Sequence, residues 1–194
     1  PQRRAPSPTV KLEVQRPTED RGLMTSPLET SPDAHAHWMR QAIAMARRGI
    51  TQGQSPFGAV VVPAALVNRT DQSVRGAGHN EVWLRTDPTA HAEVVCLQNT
   101  ARALGTIDLS GHVMYTTTEP CPMCASAIHW SRLDAVYFGA TIADAADAGF
   151  NELALSIEEV YRKGGSRTRA IGGVLSRECA GLFAEWKDAR GRSY

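Results

Sequence analysis

The sequence predicts an α/β domain in which helices are layered on a central mixed sheet. Two short strand-like runs between residues 57 and 80 read as a hairpin. Strand-like and helix-like segments then follow one another towards the C-terminus, and the helix-like segments carry their apolar residues at helical spacing. No internal repeat interrupts the pattern.

Residues 1–33 hold six of the eleven prolines, balanced charge and no apolar periodicity. They read as a disordered tail or an expression remnant, which leaves 34–194 as the domain. Order is expected to start around Ser31-Pro32-Asp33, which combines an N-cap serine, a proline at the first helical position and an acid in the first turn. Trp38, Ala42, Ile43, Ala46 and Ile50 continue at helical spacing, and Gly53 is the stop. FGAVVV (57–62) is β-branched and apolar, so a buried strand. SVRGAGHN (73–80) reads as its partner, and PAALVNRTDQ (63–72) as an extended hairpin tip. Helices are expected over 90–104, 122–131, 156–165 and 177–191, and strands over 112–118 and 134–140.

The bulk numbers exclude several classes. No apolar run is long enough to span a bilayer. Residues 1–30 lack the apolar core of a secretory signal, so a cytoplasmic setting is expected. Net charge is +1 and the isoelectric point about 8.2. A polynucleotide partner is therefore not expected, because such binders carry a basic excess or stripe. Of the four cysteines, Cys96 and Cys179 sit in apolar, helix-like surroundings and read as buried structural thiols. His35, His37, His79, His112 and His129 show no ligand spacing and read as surface or satisfied core residues.

The informative stretch is TEPCPMCASAIHW (118–130). A CxxC alone fits a redox pair, half of a closed structural metal site or half of a catalytic one. A closed site needs two further Cys or His at short spacing. The next donor is instead His91, in His91-Ala92-Glu93, at the start of the preceding helix. One histidine and two cysteines leave a zinc ion one open position, the arrangement in which water becomes acidic near neutral pH. Helix N-termini favour thiolates and developing negative charge. Glu93, two residues beyond His91, is placed to move protons rather than to bind the metal.

His91-Ala92-Glu93 followed by Pro120-Cys121-Pro122-Met123-Cys124 resembles the signature of the cytidine/deoxycytidylate deaminase superfamily. DPTAHAE (87–93) and EPCPMC (119–124) look like both tRNA adenosine deaminases and bacterial-type guanine deaminases. TIADAADAGFNE (141–152) and the Arg192-Ser193-Tyr194 end resemble the guanine deaminase group and the related plant guanosine deaminases. The resemblance implies a three-layer α/β/α fold on a five-stranded mixed sheet, with one zinc per subunit held by His91, Cys121 and Cys124. It implies Glu93 as proton shuttle and Glu152 as a second catalytic acid. Asn80, Phe57, Trp130, His91 and Tyr194 become substrate contacts. It further implies a homodimer, with the C-terminal segment carrying Tyr194 covering an active site, in some relatives that of the partner.

The implied reaction is hydrolytic deamination of a purine base, guanine to xanthine and ammonia. Guanosine, cytosine or another amino-heterocycle is the alternative, and tRNA adenosine a weaker one. From a different class, the zinc could be a folding staple without catalysis. Each contact residue also has an ordinary reading: a solvated acid at Glu152, core rings at Phe57 and Trp130, a strand end at Asn80, a frayed terminus at Tyr194.

Overall fold

The computed structural model describes residues 31–70 and 73–194. The tail reading falls mostly on residues 1–30, outside the described residues. At 31–33 it gives way to order: helix α1 (Pro32–Thr51) is capped by the Ser31 hydroxyl, which accepts from the Ala34 amide, with Pro32 and Asp33 already helical. Strand β1 (Gly58–Pro63) leads through a 3₁₀ turn (Ala64–Leu66) to β2 (Gly76–His79), a shorter strand than 73–80. Then come α2 (Val82–Arg85), α3 (Ala92–Leu104), β3 (His112–Thr118), α4 (Pro122–Trp130) and β4 (Ala135–Ala140). The chain finishes with α5 (Ile142–Ala148), α6 (Ile157–Gly164), β5 (Arg169–Ile171) and α7 (Ser176–Asp188).

The five strands run in the order β2-β1-β3-β4-β5. Pairings β1–β2 and β1–β3 are antiparallel; β3–β4 and β4–β5 are parallel. Helices cover both faces: α1 and α7 pack on one, α3 on the other with α4 against it and α6 against α4. The expected three-layer α/β/α architecture is thus observed. Strands β1 and β3 are buried along nearly their whole length, as expected where both faces are covered. Glycines permit the close layering. A Cβ on Gly58 would collide with the backbone of Ala42 and Ala46 in α1, and one on Gly78 with the backbone of Ala92 and Cys96 in α3. We expect Gly58→Ala to destabilise the fold by about 1–3 kcal/mol through overpacking. A urea unfolding curve superimposable on the parent's would contradict this.

Three elements escape the sequence reading, the single-turn helix α2 among them. Helix α5 does carry a signal: Thr141 and Asp144 form a capping box, each side chain bonded to the other's backbone amide. Strand β5 is three half-buried residues without alternation, too short to announce itself. The histidine readings agree with the packing. His35 Nδ1 lies 2.7 Å from the Tyr115 hydroxyl, and His79 Nδ1 lies 2.8 Å from the Asn80 carbonyl oxygen. Cys96 and Cys179 are buried. Among the described residues no helix is long and apolar enough to cross a membrane.

Candidate active site

The topology brings two helix starts together at one end of the central strands. His91 is the N-cap of α3, and Cys121 is the N-cap of α4, which begins just past the C-terminal end of β3. Cys124 lies one turn into α4 and is fully buried. Pro122 suits the first helical position, where its missing N–H costs no hydrogen bond. The donor atoms of His91, Cys121 and Cys124 all lie within 4.8 Å of one another. Cys121 Sγ is 3.8 Å from His91 Nδ1. Donors around a tetrahedral zinc stand roughly 3.5–3.8 Å apart, given bonds of about 2.0–2.3 Å. The spacing and the one-nitrogen, two-sulfur donor set therefore fit zinc. Among the described residues no fourth His, Cys, Asp or Glu joins this group.

Two carboxylates flank the donors. Glu93, in the first turn of α3, is 6% exposed, and its Oε2 accepts from the Cys124 thiol at 3.6 Å. Glu152, in the segment between α5 and α6, places Oε2 3.9 Å from His91 Nδ1, and its side chain is 8% exposed. Burial pushes the Glu93 carboxyl upward, with the Cys121 thiolate adding to the effect. Burial also raises Glu152, to about 7, against the opposing pull of His91. The Cys124 thiol, donating to Cys121, is the main cause that draws Cys121 down to about 4. The same bond, together with burial, holds Cys124 well above the usual thiol range. Burial disfavours a charged His91 most strongly, yet Cys121, Glu93 and Glu152 together outweigh it and raise its pKa. Shifted, desolvated groups gathered in one pocket are characteristic of a functional site.

Around this centre the structure gathers Phe57, Asn80 and Tyr194. Phe57 lies just before β1, is buried, and meets Phe150 edge to face at 4.9 Å. Asn80 follows β2 and is fully buried. Its Oδ1 accepts from the Val82 amide at 3.2 Å, and its Nδ2 donates to the Tyr194 hydroxyl at 3.1 Å. That hydroxyl is 3.2 Å from His91 Nε2. The C-terminal segment therefore lies over its own chain's His91. It is held there by Trp83, whose Nε1 donates to the Arg192 carbonyl at 3.1 Å while the Arg192 guanidinium stacks 3.5 Å above the indole. The cavity lined by Phe57, His91, Glu93, Thr118, Glu119, Cys121 and Glu152 is only about 10 Å³.

Trp130 is the exception. The resemblance puts it in the pocket, but it is 78% exposed at the far end of α4. Six residues past Cys124 is about 9 Å along a helix and roughly 240° around it, so the ring faces away from the cluster. It borders an apolar groove with Val94, Leu97, Ile107 and Ala127 instead. Sequence reasoning passes over Trp83, Phe150 and Glu119. Phe150 and Glu119 stand inside the family-like motifs, and neither carries a pattern that announces a neighbour so distant in sequence.

A His-Cys-Cys cluster and a buried acid at the end of a mixed sheet's central strand define a candidate zinc site with one position open to water. Comparison with known proteins gives the family. Residues 32–140 match the cytidine and deoxycytidylate deaminase zinc-binding region. Guanine deaminase of Bacillus subtilis (strain 168) is 35% identical over 155 residues, covering 79% of this chain and 94% of that protein. The tRNA-specific adenosine deaminase of the same organism is 33% identical over 147 residues, covering 76% and 84%. Among solved structures, a guanine deaminase from Nitrosomonas europaea aligns with a TM-score of 0.70 at 25% identity, over 82% of this chain and 86% of that one. The chain belongs to the cytidine and deoxycytidylate deaminase family and is a zinc-dependent aminohydrolase.

Proposed function

We propose that the chain hydrolyses guanine to xanthine and ammonia. One observation carries the reading: two buried carboxylates, Glu93 and Glu152, flank the donor cluster inside a pocket that Phe57 also lines. The likeness to two guanine deaminases supports it.

His91, Cys121 and Cys124 would hold the zinc, which when bound supplies Lewis-acid chemistry and makes water acidic near neutral pH. Glu93 takes the proton of the attacking water and delivers it to a ring nitrogen of the base, leaving the amine-bearing C2 electrophilic. The proton left on the new C2 hydroxyl then passes by way of Glu93 and Glu152 to the amine, so that the C2–N bond breaks, ammonia leaves and the C2 oxygen becomes the carbonyl of xanthine. The amide of Asn80, now donating to Tyr194, turns to an acceptor on the base. The Phe57 ring packs on the purine, and Tyr194 closes over it to keep out bulk water. Positioned acid–base groups of this kind contribute on the order of 10²–10⁴-fold. Glu152→Gln is expected to retain zinc and lower guanine turnover within that range; an unchanged rate would return Glu152 to a structural role.

The reading includes a homodimer. Its support is the exposure of Trp130 (78%) and Ile107 (84%) beside one apolar groove, a feature that monomers seldom leave open. Because Tyr194 reaches His91 of its own chain, exchange of the tail between copies is not needed to complete the pocket. Four free cysteines agree with a reducing, cytoplasmic setting.

Ammonia release from the zinc-loaded protein, against guanine, guanosine, adenine, cytosine, cytidine and a tRNA anticodon stem-loop, tests the substrate. Guanine turnover alone is the expected result. Turnover of guanosine alone would keep the chemistry and change the substrate, and turnover of the stem-loop alone would favour the tRNA deaminase relatives. Zinc binding with no turnover at all would leave a folding staple.

A further inference from the structure

We propose that Glu119 is a positioning residue for deamination: its carboxylate fixes the segment that carries Glu152 against the strand that delivers Cys121. The inference rests on the reading of Glu152 as the second acid.

Glu119 sits between the end of β3 and the Pro120-Cys121 start of α4. Its amide donates to the Ala140 carbonyl at 2.8 Å, continuing the parallel β3–β4 pairing. Its half-buried side chain spans the two helices on either side of Glu152. Oε2 accepts from the Ile142 amide at 3.3 Å, and Oε1 accepts from the Ile157 amide at 3.0 Å. Ile142 is the first residue of α5 and Ile157 the first of α6. A carboxylate is suited to this place, because it has two acceptor oxygens and the exposed amides at a helix start attract negative charge.

Between those helices, residues 149–156 form no helix or strand. Gly149 and Leu153 take left-handed backbone conformations. Phe150 anchors the segment by packing on Phe57, Phe183 and Trp186. Glu152 reaches out of the segment to the donor cluster, with Oε2 3.9 Å from His91 Nδ1. Its carboxylate faces the donor cluster, so its aim depends on the ends of the segment. Glu119 ties both flanking helices to one point, and that point is two residues from Cys121. It also lines the same small cavity as Glu152 and Glu93. The carboxylate therefore converts the position of β3 into the position of Glu152 relative to the metal-binding residues. Small misplacements of a reacting group are costly, up to about 10²-fold for 1 Å.

The test is a cycle of Glu119→Gln, Glu152→Gln and the double variant, assayed with guanine and analysed for zinc. A glutamine keeps one acceptor but turns an N–H towards the other helix amide. Glu119→Gln is expected to keep its zinc and lose about 10–100-fold in kcat with a smaller change in KM. In the Glu152→Gln background the same change is expected to cost less than about twofold, since the group it positions is already gone. Ile142→Pro provides an independent route. It deletes one of the two amide donors at a first helical position, where proline is tolerated, and Thr141 before it is already extended. It is expected to lower kcat in the same direction and again only when Glu152 is present. Amide exchange should quicken at residues 149–157 in both variants and stay unchanged in α4.

Multiplicative losses in the double variants, loss of zinc, or unaltered exchange at 149–157 would overturn the proposal. A Glu152→Gln protein with full activity would remove the reading of Glu152 first and the proposal with it. Reduced activity in Glu152→Gln beside normal activity in Glu119→Gln would remove the positioning role alone.

Discussion

Glu93→Ala is expected to bind zinc at the parent stoichiometry and to release ammonia from guanine at least 100-fold more slowly. The two halves of that expectation come from different features. The candidate zinc donors are one His91 ring nitrogen and two sulfurs, all within 4.8 Å of one another without any Glu93 atom. Removing the side chain deletes one weak contact, the 3.6 Å approach of the Cys124 thiol to Oε2, and leaves the α3 and α4 starts as they are. The proton path is different. Glu93 is buried against Cys124, and burial raises its pKa above the ordinary carboxylate value, the direction that suits a group passing a proton on. A loss of 10²–10⁴-fold corresponds to about 3–5.5 kcal/mol of transition-state stabilisation. Glu93→Gln separates charge from shape, since it fills the same space and cannot take the proton. It is expected to be as slow as the alanine variant. Steady-state rates and elemental zinc analysis decide the matter. Either variant turning over normally would end the role assigned to Glu93.

Cys124→Ala is expected to lose the metal and the activity together. Cys124 is fully buried one turn into α4, so its sulfur has no substitute from solvent. Changes to groups that merely support a metal ligand already cost about 10–100-fold in affinity, and loss of a ligand should exceed that. Zinc retained through dialysis should fall below one equivalent, with ammonia release falling in proportion. Metal binding displaces the proton that the Cys121 neighbour and burial hold on Cys124, so uptake by the parent protein should also weaken as the pH is lowered. The five-stranded sheet should survive, because β1, β3 and β4 bury their own apolar residues away from the cluster. A zinc-free variant that kept full turnover would separate the metal from the reaction and leave it as a folding staple.

Features local to one element are legible in the amino-acid order. Caps and periodicity place α1, α3, α4, α6 and α7 within a few residues, since they depend on neighbours three or four positions away. The pairing of His91-Ala92-Glu93 with Cys121 and Cys124 is legible for the same reason: each half opens a helix, and each helix follows a strand or turn of fixed direction. Glu152, Phe57, Asn80 and Tyr194 come from resemblance rather than from any pattern of their own, because they meet through contacts spanning up to 114 positions.

The amino-acid order alone sets the chemistry on offer: three soft donors, an acid one step away, and a layered α/β domain to carry them. Packing of the layers selects which other groups reach that chemistry. It brings Glu152 to His91, lays Tyr194 over the pocket under the grip of Trp83, and joins two helix starts on Glu119. It also turns Trp130 outward, because the pitch of α4 carries the sixth residue beyond Cys124 away from the cluster whatever its aromatic character suggests. Short-range signals act through the geometry of one helix or strand, whereas the pocket walls are set by how the layers pack.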